Sequence, residues 1–385
     1  MARFLFVVPP LTGHVNPTVS VGQCLVDRGH EVAWVAHPSP VAALLPPGAR
    51  LFPLEEPTDG DLFRDTVARA QRARGMASLK LLWEDFLVPL ARSTRDGVDA
   101  AAEAFAPEVM VVDQQAIAGS LVARLRGATW ATSVTTSASV GTALDAFPKV
   151  RDWQESLLME LQEEVGLEPL PKGDRSPHLV LVFSTEALVG SLDVFPPHYA
   201  FVGPAFGARP APVDFPWDAL RPGPKVLVSL GTVNAERGAR FYRAVVEGLG
   251  DQPCQVILVA PEALVGPLPD NFIRRDYVPQ VALLEHVDVV VSHGGHNTVC
   301  ESIAHGVPLV VTPIKDDQPV VAHQVVTAGV GLRLRFGRLR GADLRQAVYR
   351  LLWEPTFREA TRRVADSFRR AGGAERAAER LEALL

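Results

Sequence analysis

Short, uninterrupted apolar runs alternate along this chain with segments whose apolar residues recur at helical spacing. Phe4–Val8 is the first run. A helix is predicted from about Pro17 to Arg28, with Gly29 as its left-handed cap, and then a second run, Glu31–Ala36. Val109–Val112, a helix near Ala116–Arg126, Thr129–Val134, His178–Phe183 and Tyr199–Val202 continue the alternation. Strands this apolar belong to parallel sheets covered by helices on both faces, and repeated βα units predict an α/β, doubly wound architecture.

Prolines and glycines crowd the stretch Gly203–Pro224, which can continue neither a helix nor a central strand. Beyond it the alternation restarts with Lys225–Leu230, a helix from about Arg237 to Gly248, Gln255–Val259 and Val287–Val291. A helix near Asn297–His305, Pro308–Val311, a helix near Val320–Ala328 and a helix-rich end complete it. The pattern predicts a first domain over residues 1–205, a linker over 206–224 and a second domain over 225–365. Two Rossmann-like, doubly wound parallel-sheet domains are expected to face a cleft, each sending into it the loops at the carboxyl ends of its strands.

Composition narrows the class. With 385 residues, 47% of them hydrophobic, the chain has ample core for two domains. Lys+Arg 38 against Asp+Glu 44 argues against a nucleic-acid binder. The acidic total conceals a basic end: from Gly331 to Leu385 there are 13 Arg against 7 acidic residues, which reads as an arginine-rich solvated helix. Cys24, Cys254 and Cys300 are scattered and odd in number, so no disulfide framework is implied and a reducing cytoplasm is expected. The opening MARFLFVVPP reads as a first strand rather than a signal peptide, and no run of about 18 apolar residues predicts a membrane span.

Three places carry candidate chemistry. The first loop, Pro9-Pro10-Leu11-Thr12-Gly13-His14-Val15-Asn16-Pro17, lacks the G-x-G-x-x-G of dinucleotide binders but sets His14 at the carboxyl end of a strand. Asp113 ends the run Val109–Val112 in the same half. A carboxylate there can hydrogen-bond an imidazole N–H, fix its tautomer and stabilise the imidazolium; the plainer alternatives are a packing histidine and a helix cap.

The second place is His293-Gly294-Gly295-His296-Asn297-Thr298-Val299-Cys300-Glu301, which follows a strand and opens a helix. Paired glycines let backbone approach a ligand, and the N–H groups of Gly295 to Thr298 are placed to meet a phosphate. His293, Asn297 and Thr298 add donors, and Glu301 lies one turn on, suited to a ribose hydroxyl. Reading His293, His296, Cys300 and His305 as metal ligands lacks a matching pair elsewhere, and Asp59-Gly60-Asp61 reads as a solvated turn, so no metal is expected. The third place is Ala77–Leu90, where Leu79, Leu82, Trp83, Phe86 and Leu87 form a stripe that packs a core or grips an apolar ligand.

Gly13-His14-Val15-Asn16-Pro17, Val228-Ser229-Leu230-Gly231-Thr232, Tyr277-Val278-Pro279-Gln280, the His-Gly-Gly helix start, Gly306-Val307-Pro308 and Asp316-Asp317-Gln318-Pro319 occur in one order. In that order they resemble the GT-B nucleotide-sugar glycosyltransferases of the UDP-glycosyltransferase superfamily, in its bacterial natural-product branch. The resemblance implies a metal-independent, inverting hexosyltransferase without cofactors, in natural-product and antibiotic biosynthesis. Its partners are a UDP- or dTDP-sugar and a hydrophobic small-molecule acceptor; a homodimer is left open.

By that resemblance His14 matches the catalytic base and Asp113 its partner. Tyr277, Val278 and Gln280 match nucleobase contacts, and Glu301 the ribose contact. His293, Gly295, Asn297 and Thr298 match the pyrophosphate site, which Ser229, Gly231 and Thr232 face, while Asp317 and Gln318 match contacts to the donor sugar. Trp83, Phe86, Thr135 and Ser137 become candidates for the acceptor site of the N-terminal domain, and residues 366–385 become a helix crossing back to that domain. His296 stands where relatives often have Trp or Met, and the chain is shorter than many relatives in its first half. A nucleotide-sugar 2-epimerase and a catalytically silent activator subunit are the competing readings.

Overall fold

Two all-parallel sheets organise the chain in the computed structural model, which describes residues 1–55, 76–137, 148–207, 214–231 and 238–385. Thr232 and the Asp59-Gly60-Asp61 triplet lie outside the described residues. The first sheet has seven strands: β1 (Arg3–Val7), β2 (Glu31–Ala36), β3 (Arg50–Pro53), β4 (Val109–Asp113), β5 (Trp130–Val134), β6 (Leu179–Val182) and β7 (Tyr199–Phe201). Their spatial order is β3-β2-β1-β4-β5-β6-β7. The second sheet has six: β8 (Lys225–Ser229), β9 (Gln255–Val259), β10 (Phe272–Arg275), β11 (Val289–Ser292), β12 (Leu309–Val311) and β13 (Gly331–Arg333), in the order β10-β9-β8-β11-β12-β13.

The chain divides into two compact units, one of Met1–Thr185, Ser191–Pro210 and Ala371–Leu385, the other of Glu186–Gly190 and Ala211–Arg370. Strand alternation builds the first core on both faces of its sheet. Phe4 and Phe6 point to one side with Val19 and Trp34, while Leu5 and Val7 point to the other with Val98, Phe105 and Val112. The second unit buries Val226, Val228, Val289 and Val291 with Phe241, Tyr242 and Leu344. The helix Gly373–Glu382 belongs to the first unit: Ala377, Ala378 and Leu381 enter its core, and Arg28 bonds Glu375 and Glu382 at 2.7 Å each.

Each sheet has one point where strand order reverses, between β1 and β4 in the first and between β8 and β11 in the second. There the connections leaving the two central strands depart to opposite faces, which opens a crevice beyond their carboxyl ends. In the first sheet Val7 pairs with Val112, so the segments after β1 and at the end of β4 meet at that crevice. In the second, Ser229 pairs with Ser292, bringing the loops after β8 and β11 together.

Several local expectations are corrected. The helix after β1 spans Thr12–Asp27 and carries Pro17 inside it, rather than starting there. A proline this near the first turn forgoes one backbone bond, to the Gly13 carbonyl, and the remaining bonds outweigh it. His14 is therefore a first-turn helical residue, its N–H bonding the Leu11 carbonyl at 2.9 Å, and not a loop residue. The Ala77–Leu90 segment is the start of a longer helical run with a π-helical stretch at Leu81–Leu87, continuing as Val88–Phe105. Strands β3, β10 and β13 lacked an apolar run; all three lie at sheet edges, where short, charged sequences suffice.

Candidate functional site

At the switch point of the first sheet, the opening turn of helix Thr12–Asp27 sets the His14 ring against the end of β4. His14 Nδ1 lies 2.9 Å from Asp113 Oδ1; the Asp113 side chain is 0% exposed and that of His14 14%. The Gln115 backbone N–H also donates to Asp113 Oδ1, at 2.8 Å. Thr135, just past β5, places its hydroxyl oxygen 2.8 Å from His14 Nδ1 and donates to Asp113 Oδ2 at 3.2 Å. The structure thus brings together His14 and Asp113, and adds Thr135, which the sequence suggested only as an acceptor contact.

The other acceptor candidates lie in or against packed interior. Phe86 is buried in a cluster with Leu87, Leu90, Ile117 and Leu158, against which Trp83 packs, so the stripe serves the core. Ser137 is buried as well. A small pocket in this unit is lined by Val8, Pro9, Pro10, His37, Leu90 and Ile117, among others, and by none of the four acceptor candidates. His37 carried no sequence signal; it follows β2, and only the register that sets β2 beside β1 brings it there.

In the second unit, β11 delivers His293 to the corresponding switch point. Its ring lies against the loop after β8, where a Cβ on Gly231 would come within 2.8 Å of His293 Cε1. A Cβ on Gly295 would come within 2.7 Å of His293 Nε2. Glycine is needed at 231 on a second ground: its φ of +69° is left-handed. The histidine is only partly covered, yet its Nδ1 is buried with no hydrogen-bond partner among the described residues. Burial pulls its pKa down to about 4, so the imidazole is neutral near pH 7.

The helix His296–Ala304 starts directly after it, with Gly295 as N-cap and no side-chain cap bond there. Asn297 and Thr298 occupy its first turn. A helix start of this kind presents N–H groups and the positive end of the peptide dipoles to an anion. One turn on, the buried Glu301 accepts a 2.6 Å hydrogen bond from Gln280 Nε2, and the same amide lies 3.4 Å from Thr298 Oγ1. Gln280 opens the short helix Gln280–Leu283, preceded by the buried Val278 and the half-exposed Tyr277.

Ser229 Oγ accepts from the Gly231 N–H at 3.2 Å, tightening the turn after β8. Asp317 and Gln318 open the helix Gln318–Thr327. The Gln318 side-chain oxygen accepts from the backbone N–H groups of Ile314 and Lys315, at 2.9 and 3.1 Å, so only its amide nitrogen is left to serve a ligand. His296 and Cys300 do meet, Nε2 to Sγ at 3.5 Å, in a buried setting that raises the thiol pKa. Among the described residues, however, no three His, Cys, Asp or Glu side chains are grouped to hold a metal ion.

Comparison with known proteins follows the same division. The profile of the family "UDP-glucoronosyl and UDP-glucosyl transferase" matches residues 210–368. Over the whole chain, 4'-demethylrebeccamycin synthase of Lentzea aerocolonigenes is 30% identical over 408 residues, covering 95% of this chain and 96% of that protein. Demethyllactenocin mycarosyltransferase of Streptomyces fradiae is 28% identical, covering 100% of this chain and 87% of its own length. Among solved structures, the calicheamicin glycosyltransferase CalG4 superposes with a TM-score of 0.81 at 26% identity, covering 100% of this chain and 98% of that one.

Proposed function

The chain belongs to the UDP-glucoronosyl and UDP-glucosyl transferase family and is a hexosyltransferase of GT-B fold, and on that premise we propose a specific reaction for it. The reaction is an inverting transfer from a UDP- or dTDP-sugar to a hydroxyl of a hydrophobic small-molecule natural product, with His14 as general base. The observation that carries this reading is the 2.9 Å contact of His14 Nδ1 with a wholly buried Asp113 carboxylate.

A neutral hydroxyl is a poor nucleophile. His14 Nε2 takes its proton as the oxygen attacks the anomeric carbon, and Asp113 stabilises the imidazolium that forms. The new C–O bond forms opposite the bond to the leaving phosphate, so the anomeric configuration inverts. The electron pair of the broken bond leaves on the nucleoside diphosphate. Its charge falls to the helix start at Gly295 to Thr298 and to His293, which offers hydrogen bonding rather than a competing buried charge. These fixed dipoles take the place a metal ion would have in the reaction, and no cofactor is required.

Tyr277, Val278 and Gln280 take the nucleobase and Glu301 the ribose. Asp317 and the Gln318 amide meet the sugar hydroxyls, with Ser229 and Gly231 beside the diphosphate. The first unit takes the acceptor. The relatives' names, a demethylrebeccamycin synthase and a demethyllactenocin mycarosyltransferase, support a natural-product acceptor in antibiotic biosynthesis. The free cysteines suit a cytoplasmic enzyme. Among the described residues no helix is long and apolar enough to cross a membrane.

The test is incubation of the protein alone with labelled UDP- and dTDP-sugars and a panel of phenolic acceptors, with and without EDTA. A glycoside of inverted anomeric configuration, formed equally with the chelator, is the expected product. Donor altered without acceptor would mark an epimerase, and no turnover without a second protein an activator subunit. Retained configuration or EDTA inhibition would contradict the mechanism.

A further inference from the structure

We infer that Thr135 is a positioning residue that fixes the tautomer of His14, rather than a contact to the acceptor. The inference rests on the reading of His14 as the base. Three close contacts link the side chains: His14 Nδ1 to Asp113 Oδ1 at 2.9 Å, Thr135 Oγ1 to His14 Nδ1 at 2.8 Å, and Thr135 Oγ1 to Asp113 Oδ2 at 3.2 Å. Thr135 is 3% exposed and Asp113 1%, so neither group trades these partners for bulk water.

Counting protons decides the arrangement. A threonine hydroxyl has one hydrogen, and an ionised carboxylate has none. If His14 Nδ1 lacked a proton, it would face the acceptor-only Asp113 Oδ1 at 2.9 Å with nothing between them. Thr135 could relieve that only by turning its hydrogen to Nδ1, which would strip Asp113 Oδ2 of its donor. With the proton on Nδ1, these three contacts are satisfied at once. Nδ1–H is shared by Asp113 Oδ1 and the Thr135 oxygen, Thr135 O–H goes to Asp113 Oδ2, and the Gln115 N–H completes Oδ1. That tautomer leaves the Nε2 lone pair unprotonated, as proton abstraction from an acceptor hydroxyl requires. The carboxylate favours Nδ1–H only while its Oδ1 faces the ring; the Thr135 O–H to Oδ2 holds it in that orientation, and the hydroxyl oxygen is a second acceptor for the same proton.

Position explains why this residue does it. Asp113 pairs with Ser133 across β4 and β5, so two residues further along, where β5 ends, the chain passes beside the tip of the carboxylate. Thr135 is the first hydroxyl residue past that end.

Thr135→Val removes the hydroxyl at nearly constant volume; Thr135→Ala serves if the valine variant fails to fold, and Thr135→Ser keeps the hydroxyl. Nitrogen-15 NMR of histidine-labelled protein reads the His14 tautomer without any substrate. We expect a single Nδ1–H form in the native protein and the serine variant, and a mixture in the valine or alanine variant. In steady-state assays the valine variant is expected to lose roughly 10-fold in kcat with little change in either KM, and the serine variant to recover it. In a His14→Ala background, Thr135→Val is expected to change kcat no further. An unchanged tautomer in Thr135→Val, a raised acceptor KM at constant kcat, or an undiminished kcat loss without His14 would each overturn the inference. Absence of any transfer by the native protein would instead sink the transferase mechanism, leaving the NMR result to decide the role of Thr135.

Discussion

At the reversal point of the seven-stranded sheet, a histidine is bonded to neighbouring polar side chains; at that of the six-stranded sheet, a histidine lies against glycine backbone. Asp113 receives donors from His14, Gln115 and Thr135, whereas His293 keeps a buried Nδ1 with no partner among the described residues. The strand topology around the two points is the same. Under the proposed reaction, the difference suits each to its part. A group that must take a proton needs its tautomer and orientation fixed beforehand, so its partners come from the protein. A group that must receive a ligand's charge needs donors left over for that ligand, and close backbone approach makes room for it.

That contrast is broken most forcefully at His14. His14→Ala is expected to lower kcat by about 10²–10⁴-fold while donor KM holds, as read from initial rates at saturating acceptor. His293→Ala should do the reverse, raising donor KM by about 10–100-fold, the scale of a hydrogen bond to a charged group, with a smaller change in kcat. Gly231→Ala should fall between a local and a global effect. Its φ of +69° costs an alanine about 1–2 kcal/mol of stability, measurable by denaturant unfolding, and the new Cβ pushes on the His293 ring and weakens donor binding.

A last effect is on stability against pH. His293 has a folded pKa of about 4 against 6.5 in the unfolded chain, so between those values the unfolded state binds more protons. Stability should therefore fall as the pH is lowered from 6.5 to 4, and that part of the slope should vanish in His293→Ala. Thermal melts of the two proteins across this range measure it. An unchanged slope would mean that the imidazole is solvated, and would undo the contrast with the first unit.

Much of this was legible in the residues. The apolar runs that became β1, β4, β8 and β11 are the central strands, and central strands must be apolar on both faces, so their pattern was plain. β3, β10 and β13 were not legible, because an edge strand needs few buried residues and tolerates charges such as those of Arg274 and Arg275. Pro17 hid the true start of its helix by looking like a beginning. His14 and Asp113 were visible as strand-end residues of one half, but their contact depends on β4 lying beside β1, a crossover that periodicity does not reveal. Thr135 and Ser137 looked equivalent in sequence; only the register of β5 on β4 singles out Thr135. The link from Gln280 to Glu301 was likewise invisible, since it joins the start of one helix to the second turn of another, 21 residues apart.

The division of labour between the two switch points is the central claim, and one paired measurement reaches it directly. Donor Kd by calorimetry and single-turnover rate by rapid quench should be determined side by side for His14→Ala and His293→Ala. Unchanged donor affinity with a rate lowered by about 10²-fold or more is expected for the first variant, and weakened affinity with a largely preserved rate per bound complex for the second. If His14→Ala instead lost donor affinity while its bound complexes turned over at the native rate, the assignment of the base would be wrong.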